Sequence, residues 1–313
     1  MPTASVIMPC FNHARFVVES AKAILDQSFP DLELIIVDDC SADSSWQVIQ
    51  DIAEKDSRVK AIRHSQNQGA SKSRNDGLRA ATGDFIGFCD ADDIWEKHKL
   101  KLQIELLQKD PSYDVTYCDS IIIDENGVPS GVRFNQMFPL PDPASGLLFQ
   151  SLLLTNFVNM QSVLMRKECI SRVGYFDEKV KWVEDWWYWV QLAKRHRFLY
   201  WSEPLARYRV HTRSTNRVQA RGYNINRFKV FNKILMTYPD LPAAYRMEIG
   251  FKMAVELCEL RKYSAGRRML WKAFRNSLTH VKALPLCGKS LRRLLMYAGR
   301  KPRTTSSELS QSR

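Results

Sequence analysis

Short apolar runs alternate with amphipathic stretches along the first ninety residues. Ser5, Val6, Ile7 and Met8 form a run that stops at Pro9-Cys10-Phe11-Asn12. Phe16, Val17, Ala21, Ile24 and Leu25 follow at helical spacing. A second strand-like run, residues 32–37, ends in Asp38-Asp39, and Ser41 is placed to cap a helix with Trp46, Ile49, Ile52 and Ala53 facing inward. Residues 59–62 read as a third strand. Gly69 opens a helix over 70–81, and a fourth strand over 84–89 stops at Asp90-Ala91-Asp92-Asp93. A helix over 94–109 is expected next. Strands alternating with helices of about 10–15 residues predict a parallel sheet with right-handed crossovers. Ligands of such sheets sit outside the carboxyl ends of the strands. The polar clusters at 9–12, 38–39 and 90–93 all fall at that edge.

Asp90 and Asp92 are two carboxylates one residue apart at a strand end, where both can reach one divalent cation. A hard cation held by one or two carboxylates, with phosphate oxygens completing its shell, is a common way to handle a nucleoside diphosphate. The other reading is a solvated acidic loop that caps the following helix, with Asp93 at its start.

Four segments in order carry a resemblance: Val6-Ile7-Met8-Pro9-Cys10-Phe11-Asn12, Ile36-Val37-Asp38-Asp39-Cys40-Ser41, residues 67–75 from Asn67-Gln68-Gly69 to Arg74-Asn75, and residues 83–93 ending in the acidic cluster. Val173-Gly174-Tyr175-Phe176-Asp177, Glu184-Asp185-Trp186 and Tyr208-Arg209-Val210-His211 extend it over roughly residues 3–213. Together they resemble glycosyltransferase family 2. The resemblance implies an α/β protein of GT-A fold, a Rossmann-like α/β/α arrangement with a mostly parallel sheet. It also implies an inverting transfer from a nucleotide-sugar, with a divalent metal, Mn2+ or Mg2+, as cofactor.

Residue by residue, the resemblance makes Asp92 the metal ligand and sets Asp90, across Ala91, on the ribose or a metal-bound water. Asp39 would accept the imide N–H of uracil, which favours a UDP-sugar donor. The main chain at Pro9 and the ring of Phe11 would flank the base; ordinary packing is the other reading of Phe11. Asn12 sits at a position often Asn or Glu in the family, and Arg74 at a basic position near the nucleotide or simply on a helix surface. Asp185 matches the family's general base and Glu184 its positioning partner, although two carboxylates at a helix start also act as plain caps. Trp182 and Trp186 are candidate acceptor platforms, with the core as the other reading of Trp186. His211 reads either as a metal or phosphate contact or as a structural histidine. Two positions depart from the family pattern: Cys40 replaces a frequent Gly, and Asp76 replaces a small or hydroxylated residue. Residues 129–143 match no motif and are expected to form an irregular loop shaping the acceptor cleft.

Composition adds an appendage to this picture. The chain has 313 residues, 45% of them hydrophobic, enough for a large core. Its net charge of +12 is uneven: residues 215–313 hold 21 Lys and Arg against 5 Asp and Glu, a balance of +16, which leaves −4 for the rest. Three regions are expected: a catalytic domain at 1–213, a basic helical region at 214–300 and a disordered tail at 301–313. Residues 223–283 are helical in pattern, with Met253, Leu257, Leu260 and then Met269, Leu270, Ala273 and Phe274 at core spacing. Residues 289–300 mix leucines with arginines and read as a helix lying on an anionic membrane surface or packing on its own domain. No nucleic-acid motif accompanies the charge, so nucleic acid is not an expected partner. The seven cysteines have no paired spacing, which excludes a zinc site or disulfide framework as the expectation. No run approaches the roughly 18–20 apolar residues of a spanning helix, and the first strand starts too early to leave room for a signal peptide. The expected location is cytoplasmic, peripheral at the inner face of the membrane. The expected acceptor is a glycan or lipid-linked hydroxyl in surface polysaccharide synthesis, the transferred group hexosyl or N-acetylhexosaminyl. The alternative is an inactive nucleotide-binding relative that acts as a membrane-surface interaction module.

Overall fold

The computed structural model describes residues 3–212, 220–260, 262, 264–266, 268 and 269. The chain divides into two units, Met1–Val218 and Gln219–Arg313. The described strands of the first form one nine-stranded sheet.

Its first half follows the apolar pattern. β1 (Ala4–Cys10) lies between β2 (Leu32–Asp38) and β4 (Phe85–Phe88), and β2 pairs with β3 (Val59–Arg63); all these pairings are parallel. The connecting helices are α1 (Val17–Leu25), α2 (Ser45–Lys55) and α3 (Ala70–Ala80). β2 is buried at every position, as a strand covered on both faces must be. α1 packs through Val17, Ala21 and Ile24. α3 approaches β1 so closely that a Cβ at Gly77 would stand 2.4 Å from the Ile7 side chain. That packing turns Arg74 and Asn75 inward, and both are buried.

The second half is mixed. β5 (Ile94–Trp95), α4 (Lys99–Lys109), β6 (Val115–Ile123), β7 (Pro129–Arg133), α5 (Phe134–Met137), α6 (Phe149–Leu152), β8 (Leu164–Arg166), α7 (Glu168–Val173), α8 (Glu184–Ala193) and β9 (Phe198–Arg209) follow in order. The sheet runs β3-β2-β1-β4-β8-β6-β9-β5, with β7 pairing to β6 off that path. β8 runs antiparallel to both β4 and β6, while β9 is parallel to β6 and antiparallel to β5.

Four local expectations are corrected. The helix expected from residue 94 starts at Lys99, because Ile94 and Trp95 pair with β9 and Trp95 is buried in the core. Asp93 therefore does not start a helix. Ser41 does not cap α2: its hydroxyl accepts from the Asn12 amide at 2.9 Å, and Asp43 accepts from the Ser45 amide at 2.9 Å. Much of residues 129–143 is regular, as β7 and α5; the turn before β7 closes when Asp124 N–H donates to Val128 O at 2.9 Å, with Gly127 at φ 83°.

In the second unit the described helices are α9 (Ala220–Thr237) and α10 (Ala243–Glu259). Val230, Phe231 and Ile234 are buried on α9, and Met247, Phe251 and Met253 on α10. Arg227 and Glu256 pair between them at 3.3 Å. Leu257 and Leu260 are half-buried rather than central. Leu270, Ala273 and Phe274, the basic segment 289–300 and the tail 301–313 lie outside the described residues. Among the described residues, no helix is long and apolar enough to cross a membrane.

Candidate active site

The loops after β1 and β2 are tied together. Asn12 donates its amide to Ser41 Oγ, and its Oδ1 accepts from Ala42 N–H at 2.8 Å. Asn12 and Cys40 both take the left-handed conformation, at φ 57° and 60°. Asn tolerates that region, whereas for Cys it costs energy. Pro9 lies within β1, opposite Val37, and the Phe11 side chain beyond it is exposed. Asp39 is buried, and its carboxylate is caught by the loop after β3. Oδ1 accepts from Gln68 N–H at 2.8 Å and Oδ2 from Gly69 N–H at 2.7 Å. The Asn67-Gln68-Gly69 motif is thus a cradle for Asp39.

The acidic loop after β4 distributes its carboxylates to different partners. Asp90 takes a 2.7 Å hydrogen bond from Arg74. Ala91 is buried, and its carbonyl accepts from Ser20 Oγ at 2.9 Å. Asp92 Oδ2 lies 3.0 Å from His211 Nε2. Burial opposes ionisation of Asp92, but the His211 contact and the nearby His13 outweigh it and hold the carboxyl below its usual range. Asp93 behaves oppositely. Burial first, then Asp92 and Asp90, push its carboxyl well up from the usual carboxylate range. Its Oδ1 accepts from Arg209 N–H at 2.8 Å, while Oδ2 is buried without a partner among the described residues. Arg209 also donates to Asp92 O at 2.7 Å and to Glu19 at 2.7 Å, fixing the loop from behind.

One ligand atom from each of His13, Asp92 and His211 lies within 4.8 Å of the other two. One carboxylate and two imidazoles are a donor set that a divalent transition ion accepts. Asp90 is engaged by Arg74 and stands outside this trio.

The carboxylate pair opens α8. Glu184 takes a 2.6 Å hydrogen bond from Arg74, so the one guanidinium bridges Asp90 and Glu184. Arg74 is buried, yet its two anionic partners hold it firmly charged. Asp185 accepts from Asn156 Nδ2 at 3.0 Å and from Trp186 N–H at 2.6 Å. It keeps some solvent access, but the surrounding protein desolvates it. That burial, with Glu184 beside it, pushes its carboxyl up to about 7 against the pull of Trp186 N–H, Arg74 and Asn156.

The aromatic candidates separate. Trp186 is 1% exposed and its indole donates to Leu152 O at 2.7 Å, so it belongs to the core and offers no face to a sugar. Trp182 is half-buried and takes φ 65°, a conformation a bulky residue adopts only when its surroundings impose it. Asn75 fixes the preceding turn by donating to Phe176 O at 2.9 Å and accepting from Phe176 N–H at 2.8 Å. Sequence reasoning missed His13 and Asn156. His13 directly follows Asn12 at the strand edge and was findable by position. Asn156 carried no signal, because its loop has no motif.

The chain matches the Glycosyl transferase family 2 profile over residues 5–167. It belongs to that family. A putative teichuronic acid biosynthesis glycosyltransferase, TuaG of Bacillus subtilis, is 26% identical over 248 residues, covering 79% of this chain and 91% of the relative. An uncharacterized glycosyltransferase of Haemophilus influenzae is 33% identical over 175 residues, 56% of this chain and 66% of the relative. Among solved structures, S. aureus TarS 1-349 in complex with UDP-GlcNAc superposes with a TM-score of 0.65 at 23% identity, over 95% of this chain and 87% of that one. The mannosyltransferase PcManGT from Pyrobaculum calidifontis, in complex with GDP-Man and Mn2+, gives 0.59 at 18% identity, over 95% and 86%. The fold is therefore GT-A, and the protein is a glycosyltransferase.

Proposed function

We propose that the protein is an inverting glycosyltransferase that moves a hexosyl or N-acetylhexosaminyl group from a UDP-sugar to a hydroxyl of a glycan or lipid-linked acceptor. The observation that carries this is the Arg74 bridge. It joins Asp90, in the donor motif, to Glu184, beside the base candidate, and so makes one site of two segments about ninety residues apart in sequence. TarS and TuaG support the donor and the acceptor class respectively, a UDP-sugar and a surface polysaccharide.

Asp185 is the general base in this reading. Ionised, it removes the proton from the acceptor hydroxyl as that oxygen attacks C1 of the sugar. The C1–O bond to the diphosphate breaks, and its electron pair leaves with UDP. A single displacement inverts the anomeric centre and needs no covalent nucleophile. A base with a pKa near the working pH combines availability with driving force. Asn156 orients it, and Glu184, held by Arg74, keeps its place at the helix start. Asp39 accepts from the base, Phe11 offers a ring beside it, and Trp182 is the remaining acceptor platform.

Asp92, His211 and His13 would hold the divalent cation. Bound there, it supplies electrostatic neutralisation of the leaving diphosphate. Two imidazole nitrogens suit Mn2+ better than Mg2+, which prefers oxygen donors. Calorimetric titration of UDP with and without Mn2+, with CDP and GDP as controls, tests the reading. Mn2+-dependent binding that prefers UDP is expected; absence of nucleotide binding under every metal condition would overturn it.

A further inference from the structure

His64 follows β3 directly and is buried between two carboxylates. Its Nδ1 lies 2.7 Å from Asp39 Oδ1 and its Nε2 lies 3.0 Å from Asp76 Oδ2. A carboxylate oxygen accepts, so the ring N–H facing Asp39 occupies one of that oxygen's acceptor positions. Asp76 is anchored in turn by Lys72 and by Arg79, the latter at 2.8 Å.

The consequence lies in the geometry of Asp39. A carboxylate offers about four acceptor positions, two on each oxygen. Gln68 N–H and His64 fill those of Oδ1, and Gly69 N–H fills one of Oδ2. One acceptor position remains, on Oδ2, and the carboxylate is braced from three sides against rotation.

We infer that His64, held by Asp76, is a positioning residue that makes Asp39 a single-acceptor reader of the nucleotide base, selecting a pyrimidine whose ring nitrogen donates over one whose ring nitrogen accepts. The inference rests on the UDP-sugar reading and deepens it. Uracil presents an imide N–H to the remaining position. Cytosine presents a lone pair there, and the braced carboxylate cannot shift to accept from its 4-amino group instead. Without His64, Oδ1 regains an open acceptor position from which Asp39 can accept the cytosine 4-amino N–H, so the discrimination relaxes.

The test is titration of UDP and CDP, each with Mn2+, into the full-length chain and its His64→Leu variant, with thermal unfolding measured alongside. The wild-type chain is expected to prefer UDP. In His64→Leu the ratio of UDP to CDP affinity is expected to fall on the order of tenfold, the size of one well-placed hydrogen bond. Equal weakening of both nucleotides, or an unchanged ratio, would overturn the inference and leave the donor reading standing. No UDP preference in the wild-type chain would overturn both. If His64→Leu does not fold, Asp76→Asn carries the test; it keeps the side-chain shape but removes the charge opposite Nε2. A reduced UDP to CDP ratio supports the inference, and an unchanged one sinks it.

Discussion

At Asp185, burial and Glu184 favour the protonated form, and Trp186 N–H, Arg74 and Asn156 offset them only in part. Two outcomes follow with opposite signs. As the proposed base, Asp185 must be ionised, so kcat/KM is expected to climb as pH rises through about 7. Folding prefers the acid: a carboxyl whose pKa is raised in the folded state gives stability that is complete below its unfolded value and is lost as pH rises through about 7. Asp185→Asn should therefore lower transfer by about 100- to 10,000-fold, leave UDP binding intact, and raise the Tm at pH 8. A variant that loses UDP binding and Tm together would show Asp185 to be structural. Other single residues carry strain instead of charge. Cys40 and Trp182 occupy left-handed backbone beside Asp39 and Asp185, and neither residue type announces that conformation in a sequence.

At the scale of elements, the opposite edge of the parallel half-sheet is pinned by one side chain. Glu33 at the start of β2 accepts from Ser5 on β1 at 2.6 Å, from the Thr82 amide at 2.6 Å, and from Lys60 on β3 at 2.6 Å. Burial opposes its ionisation, but Lys60, Ser5 and Thr82 prevail and lower its pKa to about 2. A depressed carboxyl gives stability that is present above its unfolded value of 4.5 and is lost as pH falls toward about 2. Glu33→Gln is expected to cost about 2 kcal/mol at pH 7 and to flatten the acid limb of unfolding. Denaturant titrations at pH 7 and pH 3 check this; an equal cost at both would refute the charge argument. The elements β1 to β4 and their helices were legible because their apolar runs are unbroken. β5 was not. Ile94 and Trp95 form two residues of strand between an acidic loop and a helix, and a two-residue element has no period to read.

At the scale of the whole molecule, charge separates the chain into a near-neutral part up to residue 214 and a following region with a balance of +16. Each Lys or Arg near an anionic surface contributes about 1 kcal/mol to association. Deleting residues 284–313 is expected to leave donor hydrolysis intact and to reduce co-sedimentation with vesicles rich in anionic lipid, more at low salt than at high. Unchanged sedimentation would remove the membrane from the list of partners.

The sequence by itself determined the parallel half-sheet, the polar edge and the residue types on it, because hydrophobic period and strand-end motifs are local properties. The strand ends supplied Asp39 and Asp92 as candidates, and the family resemblance supplied Glu184 and Asp185 and the roles of all four. Tertiary structure decided the partnerships. Arg74 could not be known to bridge Asp90 and Glu184, nor His13 to meet Asp92 and His211, since those groups come from elements the sheet order alone brings together. Trp186 went to the core because α8 is buried nearly all round, while Trp182, which precedes the helix, stayed half-buried; the run of aromatic residues does not reveal that difference. Asp90, Asp92, Asp93 and Asp185 share one chemical group. What separates the Arg74-bridged Asp90, the candidate ligand Asp92, and Asp93 and Asp185, whose carboxyls are pushed up, is the burial and charge that folding places around each.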